Sequence, residues 1–317
     1  MRIRAIVENG LITESDTAGD PTDIYYAPLV TIGGEIVYDN DGNELYHHHH
    51  TRWSVESWVN IANPETTVKH DTAYLTSTRL VPNYWKPAPE DILNEYDRPY
   101  VPMKNGAWRQ SMGNPGWSDQ IGILPSWDAV YLTSGGDARA YRAVESNAKA
   151  LNSYGIIWAD PATFDPILLS NWSSWTVRGE NGGGSNGIRS GPYSWSVSHH
   201  GSGGYFAYLL TGDYYYLETM QHQTAANFLI TWSYRGLGTA RRVLSTQTRS
   251  GAWAIRTIGQ AVAISPDSEI ASDFREWLQI GVGESMVAIL DLPGLNESGY
   301  IYTHCAAGGE TMCYSSN

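Results

Sequence analysis

Cysteine, basic residues and long apolar runs are all scarce in this sequence. Two cysteines among 317 residues, Cys305 and Cys313, are too few for a disulfide framework and do not form a zinc motif. No apolar run approaches the roughly 18 residues of a membrane helix, and no secretory leader is recognisable at the start. The net charge of −13 argues against nucleic acid and anionic membranes as partners, because both require a positive footprint. Nothing in the sequence indicates a compartment.

Phenylalanine is also rare, with 4 residues against 13 tryptophans and 21 tyrosines. Tryptophan and tyrosine combine a flat apolar face with a polar group, so they suit surfaces that stack on sugars as well as protein cores. Packing between elements accounts for most of them, and the preference for polar-edged rings predicts that some line a wet cleft. No P-loop and no HExxH motif occurs in the chain, and no cofactor is predicted.

A helical hairpin recurs three times in the C-terminal part, over residues 127–151, 204–230 and 253–277. Each copy has an apolar helix, a turn containing Gly or Pro, and an Asp that opens the next helix. The turns are Gly135-Gly136-Asp137, Thr211-Gly212-Asp213 and Ser265-Pro266-Asp267. Repeated hairpins bury their apolar faces on one another, as in solenoids and α/α toroids. We therefore predict an incomplete α/α toroid of helical hairpins over 119–317, either a shortened version or a fragment.

The N-terminal part, residues 1–85, is predicted to be rich in β-structure. A strong turn signal at 39–43 separates short β-prone runs from a long return strand over 44–59, and a further strand-like run covers 68–82. These patterns favour an antiparallel barrel or sandwich. Residues 86–118 are rich in Pro, Gly and Asn and are interpreted as a connector, so the fold class is α+β with more than one domain.

A long segment over 153–198 interrupts the helices. Loops of this length inside a compact domain are uncommon, and tryptophan-rich segments are seldom disordered. We predict that the segment is ordered and covers one rim of the helical array. It would bring Trp172, Trp175 or Trp195 toward His199.

The densest polar cluster follows this segment, at the entrance to the second hairpin. It runs from Ser198 through His199 and His200 to four residues of Gly and Ser, and then to Tyr205 and Tyr208. Glycine lets the backbone approach a ligand closely, and histidine can move a proton near neutral pH. The alternative is that Ser198 caps a helix while the histidines make local hydrogen bonds.

A second cluster, Gln247 to Arg256, opens the third hairpin. Arg249, Trp253 and Arg256 are spaced i, i+4, i+7 and therefore share one helix face. Two guanidinium groups around an indole are suited to a carboxylate or a sugar ring. The alternative is a layer of ion pairs between helices.

A third cluster is the histidine tract His47–His50. On a strand, His48 and His50 would face the same side and could bind a metal ion. A histidine tract without a nearby carboxylate is a weak metal signal, so no metal site is predicted.

Two stretches of the chain resemble a known group of proteins. Ser198-His199-His200 with 208–218, Tyr234-Arg235-Gly236, and the run from Gln247 to Arg256 are similar to the toroid segment of bacterial and phage proteins related to polysaccharide lyases. The β-rich front resembles the barrel that precedes the toroid in rhamnogalacturonan exolyase-like proteins.

The resemblance implies β-elimination from a uronic acid in a polysaccharide, with one residue as base and another as carboxylate neutraliser. Transferred to this sequence, His199 or His200 with Tyr205 or Tyr208 would form the acid/base set, and Arg249 would bind the carboxylate. The substrate-binding candidates are Trp172, Trp175, Trp195, Gln247, Trp253 and Arg256. A non-catalytic carbohydrate-binding protein, or a virion structural protein on the same scaffold, remains the alternative; a homo-oligomer or a virion assembly is compatible with either.

Overall fold

The fold was analysed in a computed structural model. It describes residues 1–12, 22–62, 67–110, 118–172, 175–176, 179–180, 188–230, 248–290, 303–304 and 312–313. Helices and small antiparallel sheets alternate along the described chain, which confirms the α+β class.

The strands form antiparallel pairs. They are β1 (Arg2–Asn9), β2 (Ile24–Tyr26), β3 (Leu29–Ile32), β4 (Glu35–Asp39), β5 (Leu45–His47), β6 (Thr51–Trp58), β7 (Trp175–Thr176), β8 (Gly179–Glu180), β9 (Ile188–Ser190), β10 (Tyr193–Trp195), β11 (Thr303–His304) and β12 (Met312–Cys313). The pairs are β1–β6, β2–β5, β3–β4, β7–β8, β9–β10 and β11–β12, and these strands do not close a barrel. The longest ladder, β1–β6, runs from Arg2 opposite Trp58 to Asn9 opposite Thr51.

The prediction of one long return strand over 44–59 is wrong, because the chain turns between β5 and β6. His50 has a φ of 54° there, a left-handed conformation that interrupts strand pairing. The ring of His50 stacks on Trp158 at 3.6 Å, and its backbone carbonyl accepts from the Ile157 amide at 2.9 Å. The histidine tract thus packs the β-rich part against the segment that follows the first hairpin.

The strand predicted over 68–82 is also wrong, because helix α1 (Thr72–Ser77) lies inside it. The Asp71 carboxylate accepts from the amides of Ala73 and Tyr74 at 2.9 and 3.1 Å. This cap satisfies two amides that a first helical turn leaves without partners. Local capping therefore outweighs the β-propensity of the flanking residues.

The three helical hairpins are confirmed. The remaining helices are α2 (Glu90–Tyr96), α3 (Ser126–Thr133), α4 (Ala138–Ala150), α5 (Tyr205–Thr211), α6 (Tyr214–Ile230), α7 (Thr248–Ile264) and α8 (Glu269–Leu290). Helices α3–α4, α5–α6 and α7–α8 form the pairs, and α2 lies in the segment interpreted as a connector. None of the described helices meets the length and hydropathy needed to cross a membrane.

The turn residues act largely as the sequence predicts. Gly212 ends α5 with a φ of 65°, and the Asp213 carboxylate accepts from the Tyr215 amide at 3.1 Å. Asp137 caps α4 in the same way, accepting from the Arg139 amide at 2.8 Å. The third turn differs, because the hydroxyl of Ser268, not Asp267, accepts at the start of α8.

Most of the tryptophans and tyrosines whose side chains the structure describes pack in or against one continuous core between these elements. Five tryptophans are at most 2% exposed there: Trp108, Trp127, Trp158, Trp195 and Trp277. Trp108 comes from the predicted connector, and Trp158 and Trp195 come from the long segment over 153–198. The described parts of both segments therefore supply core side chains.

A buried arginine joins the β-rich part to the helices. Arg52, on β6, is 1% exposed and pairs through Nη1 with Glu218 of α6 and, at 3.5 Å, with Glu8 of β1. Its Nε donates to Asn152 at 3.0 Å, and its Nη2 donates to the Thr219 hydroxyl at 3.0 Å. Such a group is tolerated in a core because its donors are matched by acceptors.

Candidate functional site

The predicted His/Ser cluster forms a buried segment over 196–203 that leads into α5. Two glycines are required where it passes close to other backbone. A Cβ on Gly201 would lie 2.3 Å from the carbonyl oxygen of Gln120, and a Cβ on Gly204 would lie 2.3 Å from that of Tyr216. Only glycine permits such an approach. The segment is thus held against both the 118–124 loop and α6.

Four buried polar side chains hold this segment, three through its backbone carbonyls and one through the Ser202 hydroxyl. Gln120 Nε2 donates to the carbonyl of His199 at 2.8 Å, and Gln223 Nε2 donates to that of Gly201 at 2.9 Å. Arg256 Nη2 donates to the carbonyl of His200 at 3.2 Å, and Gln260 accepts from the Ser202 hydroxyl. A segment whose polar groups are bound on every side keeps a fixed geometry.

His199 lies at the centre of the segment and is 4% exposed. Its Nδ1 lies 2.8 Å from the Ser198 hydroxyl and 3.1 Å from that of Ser196. Its Nε2 lies 3.2 Å from Nη1 of Arg249, at the start of α7. Burial, and then the charge of Arg249, lowers the pKa of His199, so the imidazole is neutral at pH 7.

Arg249 is partly buried, and its partner in the described chain is His199. No carboxylate among the described residues lies within 4 Å of it. Arg249 and His199 thus meet. The full prediction, that they converge with Tyr205 or Tyr208 on a solvent-open pocket that fits a sugar ring, stays a prediction. The predicted alternative, an ion-pair layer, is not formed by Arg249 with the part of the chain that the structure describes.

Arg256 lies seven residues further along the same helix and is 8% exposed. Its Nη1 donates to the Gly122 carbonyl at 2.6 Å, and its guanidinium carbon lies 4.7 Å from the centre of the Trp253 ring. Burial lowers the pKa of Arg256 to about 9, which leaves it charged at neutral pH. Its Nε and the Trp253 Nε1 have no hydrogen-bond partner within the described ranges.

His200 has a different environment from His199. It is fully buried and stacks on Trp195 with ring centres 4.5 Å apart. Its Nδ1 accepts from the Ser196 amide at 3.0 Å, and its Nε2 donates to the Arg109 carbonyl at 3.3 Å. Burial lowers its pKa to about 4. Both ring nitrogens are engaged by backbone, so the structure assigns His200 to packing.

The two predicted tyrosines also differ. Tyr205 is 2% exposed, and its hydroxyl donates to the Leu80 carbonyl at 2.7 Å, away from His199. Burial raises its pKa to about 12, which makes it a poor base at neutral pH. Tyr208 is partly buried on α5 and packs on the main core.

The structure describes only part of the set of tryptophans that was predicted to lie near His199. Trp195 lies next to the site but is fully buried, with its Nε1 donating to Asn227 at 2.9 Å. Trp172 is partly buried and donates to Asp160 at 3.0 Å. For Trp175 the structure describes only the backbone, which pairs in β7–β8. Gln247 lies outside the described residues.

The histidine tract is used in packing. Burial lowers the pKa of His48 to about 4, and the ring contacts Tyr46 and Tyr193 edge-on. His49 pairs with Asp23 at 2.7 Å. Among the described residues, no three His, Cys, Asp or Glu side chains are placed to hold a metal ion.

A groove of about 400 Å³ lies elsewhere, between residues 168–170 and α8. Glu269, Asp273 and Glu276 line it together with Arg275. Asp273 accepts from the amides of Leu169 and Ser170 at 2.6 and 3.2 Å, so it also anchors the groove wall. An acidic lining repels a uronate, and we do not assign the substrate to this groove.

The glutamines that hold the segment were not among the candidates from sequence. Gln120, Gln223 and Gln260 lie far apart in the chain, and glutamine is common on exposed helix faces. The available signal was the position of Gln260 within the apolar run 258–264, where an amide needs a partner.

Comparison of the chain with models of known protein families, with curated proteins and with solved structures finds no match in any of the three. Function therefore has to be inferred from the residues themselves, above all from His199 and Arg249.

Proposed function

We propose that this protein is a polysaccharide lyase that cleaves a uronate-containing polysaccharide by β-elimination. The observation that carries the proposal is the contact between a neutral imidazole and a guanidinium that has no described carboxylate partner. This reaction requires two groups at adjacent atoms of one sugar ring. One is a cation that neutralises the carboxylate, and the other is a base that accepts the proton.

The charges around α7 support an anionic substrate. Arg249 and Arg256 lie on one face of the helix, and their contacts in the described chain are to neutral groups. In a protein with a net charge of −13, two uncompensated guanidinium groups create a local positive region. Guanidinium groups bind carboxylates through paired hydrogen bonds, which gives both affinity and orientation.

In the proposed reaction, Arg249 pairs with the substrate carboxylate and stabilises the charge that develops beside it. As Nη1 of Arg249 turns to the carboxylate it frees the lone pair of His199 Nε2, which accepts the proton from the ring carbon that bears the carboxylate. The electron pair of that C–H bond forms a ring double bond, and the bond from the next carbon to the glycosidic oxygen breaks. The departing oxygen takes a proton, which the imidazolium of His199 can return. The product is an unsaturated uronate and a new chain end.

We place this chemistry on an α/α toroid-like scaffold preceded by a β-domain, as the resemblance to rhamnogalacturonan exolyase-like proteins implies. The three consecutive helical hairpins support the toroid part of this proposal. The antiparallel pairs β1–β6, β2–β5 and β3–β4 support a β-rich front. Trp253 and Tyr208, both partly exposed, are proposed as sugar-contacting side chains beside the pair.

The second candidate is a non-catalytic carbohydrate-binding or virion structural protein. It is favoured by the structural use of His200, Tyr205 and Trp195, which removes them from solvent. An exposed aromatic such as Trp85, at 90%, can stack on a sugar ring without catalysis. Both candidates predict glycan binding, and only the first predicts an unsaturated product.

The test is a screen of uronate polysaccharides for an ultraviolet-absorbing unsaturated product. We expect wild type to release it from at least one polymer, and His199→Gln to lose this activity with polymer binding retained. His70→Gln is the matched control, because the His70 Nδ1 contacts the Tyr131 hydroxyl at 2.9 Å outside the site. Glycan binding without product in wild type would favour the second candidate.

A further inference from the structure

The position of the proton on His199 can be assigned from its neighbours. A guanidinium only donates hydrogen bonds, so Nε2 of His199, 3.2 Å from Nη1 of Arg249, has to act as the acceptor. A neutral imidazole that accepts at Nε2 carries its proton on Nδ1. The lone pair of Nε2 therefore faces the guanidinium, and the N–H group faces the opposite side.

Two serine hydroxyls lie on that opposite side. Ser198 Oγ is 2.8 Å from Nδ1, Ser196 Oγ is 3.1 Å from it, and the two oxygens are 3.2 Å apart. Ser196 and Ser198 are 8% and 6% exposed. A buried N–H group without an acceptor costs about 1–3 kcal/mol, and either hydroxyl can accept from Nδ1–H, so the two serines stabilise the form that the contact with Arg249 selects.

We propose that Ser198, assisted by Ser196, is a positioning residue that fixes the tautomer and ring orientation of His199. The proton-accepting nitrogen is thereby directed at Arg249 and at the carboxylate that Arg249 binds. The catalytic meaning of this assignment rests on the proposed lyase function, whereas the tautomer itself does not.

Ser198 has the larger share of this role. Its hydroxyl makes the shorter contact, and the Ser196 backbone is already engaged by the ring of His200. Ser196 can still replace it, because its hydroxyl is within reach of Nδ1. Without either hydroxyl, the form protonated on Nδ1 loses the acceptor for its N–H group. The balance then shifts toward the other tautomer, whose N–H group on Nε2 points at the guanidinium of Arg249 and breaks the hydrogen bond between them.

The test is ¹⁵N NMR of the imidazole nitrogens, whose shifts differ between the two tautomers, with His199 assigned through His199→Gln. The variants are Ser198→Ala, Ser198→Thr, and Ser196→Ala combined with Ser198→Ala. Ser153→Ala is the matched control, since Ser153 is also buried and its hydroxyl donates to the Ala150 carbonyl at 2.7 Å, outside the site segment. Elimination activity is measured on the same samples with a uronate polymer.

We expect wild type, Ser198→Thr and Ser153→Ala to carry the proton on Nδ1, and the double variant to shift toward the form protonated on Nε2. The kcat of the double variant should fall about 10- to 100-fold, as for loss of a group that orients a reactive side chain, with Ser153→Ala close to wild type. An unchanged tautomer in the double variant would overturn the proposal, whatever happens to activity. The expected tautomer shift without elimination by wild type on any uronate polymer would support the positioning role and reject the lyase function.

Discussion

Nη1 of Arg249 lies 3.2 Å from Nε2 of His199, although fifty residues separate the two in the chain. A guanidinium next to a neutral imidazole, instead of a carboxylate, retains its full charge for a ligand. The 196–203 segment is held against α7 by further contacts from Arg256 and Gln260. The pair is therefore fixed before any substrate arrives.

The two arginines of α7 should differ in their effect on stability. Arg256→Met leaves the carbonyls of Gly122 and His200 without a donor, and we expect the free energy of unfolding to fall by about 2–4 kcal/mol. Arg249→Met removes a partly exposed group with one imidazole contact, and the change should stay within about 1 kcal/mol. Urea unfolding measures both, and a larger loss in Arg249→Met than in Arg256→Met would contradict the assigned roles.

The pH dependence of elimination should report His199. Its pKa is lowered, so the imidazole can still accept a proton below pH 6.5, and the acid limb of kcat/KM should lie below that value. Removing the positive charge in Arg249→Met removes one cause of the lowering, and the pKa of His199 should rise. NMR titration of the ring measures the shift directly. A lower pKa in the variant would speak against the contact.

Asp128 should make stability fall with rising pH. It is 1% exposed, its Oδ2 has no partner in the described chain, and burial raises its pKa well above 3.8. The stability that the protonated carboxyl contributes is complete below the pKa of Asp128 in the unfolded chain. It is lost as pH rises through the higher pKa of Asp128 in the folded protein. Asp128→Asn stays neutral, so its stability relative to wild type should increase between pH 4 and pH 8, by up to about 1.4 kcal/mol per unit.

Urea unfolding across that pH range tests the prediction. Asp267→Asn is the matched control, because the side chain of Asp267 is fully exposed and the substitution should give no comparable slope. A pH-independent difference between Asp128→Asn and wild type would show that the carboxyl ionises as readily in the folded protein as in the unfolded chain.

Arg52 should be a main link between the β-rich part and the helices. Arg52→Met leaves Glu218 without its cation, and we expect a loss of about 3–5 kcal/mol in the free energy of unfolding. Arg142→Met is the comparison, since Arg142 is 49% exposed in its pair with Asp97 and should change stability by less than about 1 kcal/mol. Equal effects of the two substitutions in chemical denaturation would contradict the linking role.

Local chemistry explains which parts of the fold could be predicted from sequence. The turns at Gly135-Gly136 and Gly212 follow from backbone conformations that glycine adopts easily, and they identify the hairpins without knowledge of the partners. Strand β6 does not show the alternation expected of a half-buried strand. Its first four residues, including Arg52, are all buried, because distant partners satisfy the arginine.

The candidate site was predictable only in part. The resemblance to polysaccharide lyase-related proteins implied that Arg249 acts with His199 or His200, and the sequence did not decide between the two histidines. The buried amides of Gln120 and Gln223 could not be assigned, because their role is defined by carbonyls that only the folded chain brings to them. His200 and Tyr205 have the same reactive groups as the proposed site residues, and only burial distinguishes them.

The most direct test compares wild type and Arg249→Gln on a uronate polymer and on its methyl ester. Both substrates can undergo elimination, but only the free acid offers a charged partner to Arg249. We predict that Arg249→Gln lowers kcat/KM on the acid by an amount that corresponds to a loss of about 2–4 kcal/mol in transition-state stabilisation, and lowers it much less on the ester. Arg275→Gln is the matched control and should leave kcat/KM unchanged on both substrates. Equal losses on the two substrates, or no unsaturated product from wild type on either, would contradict the account.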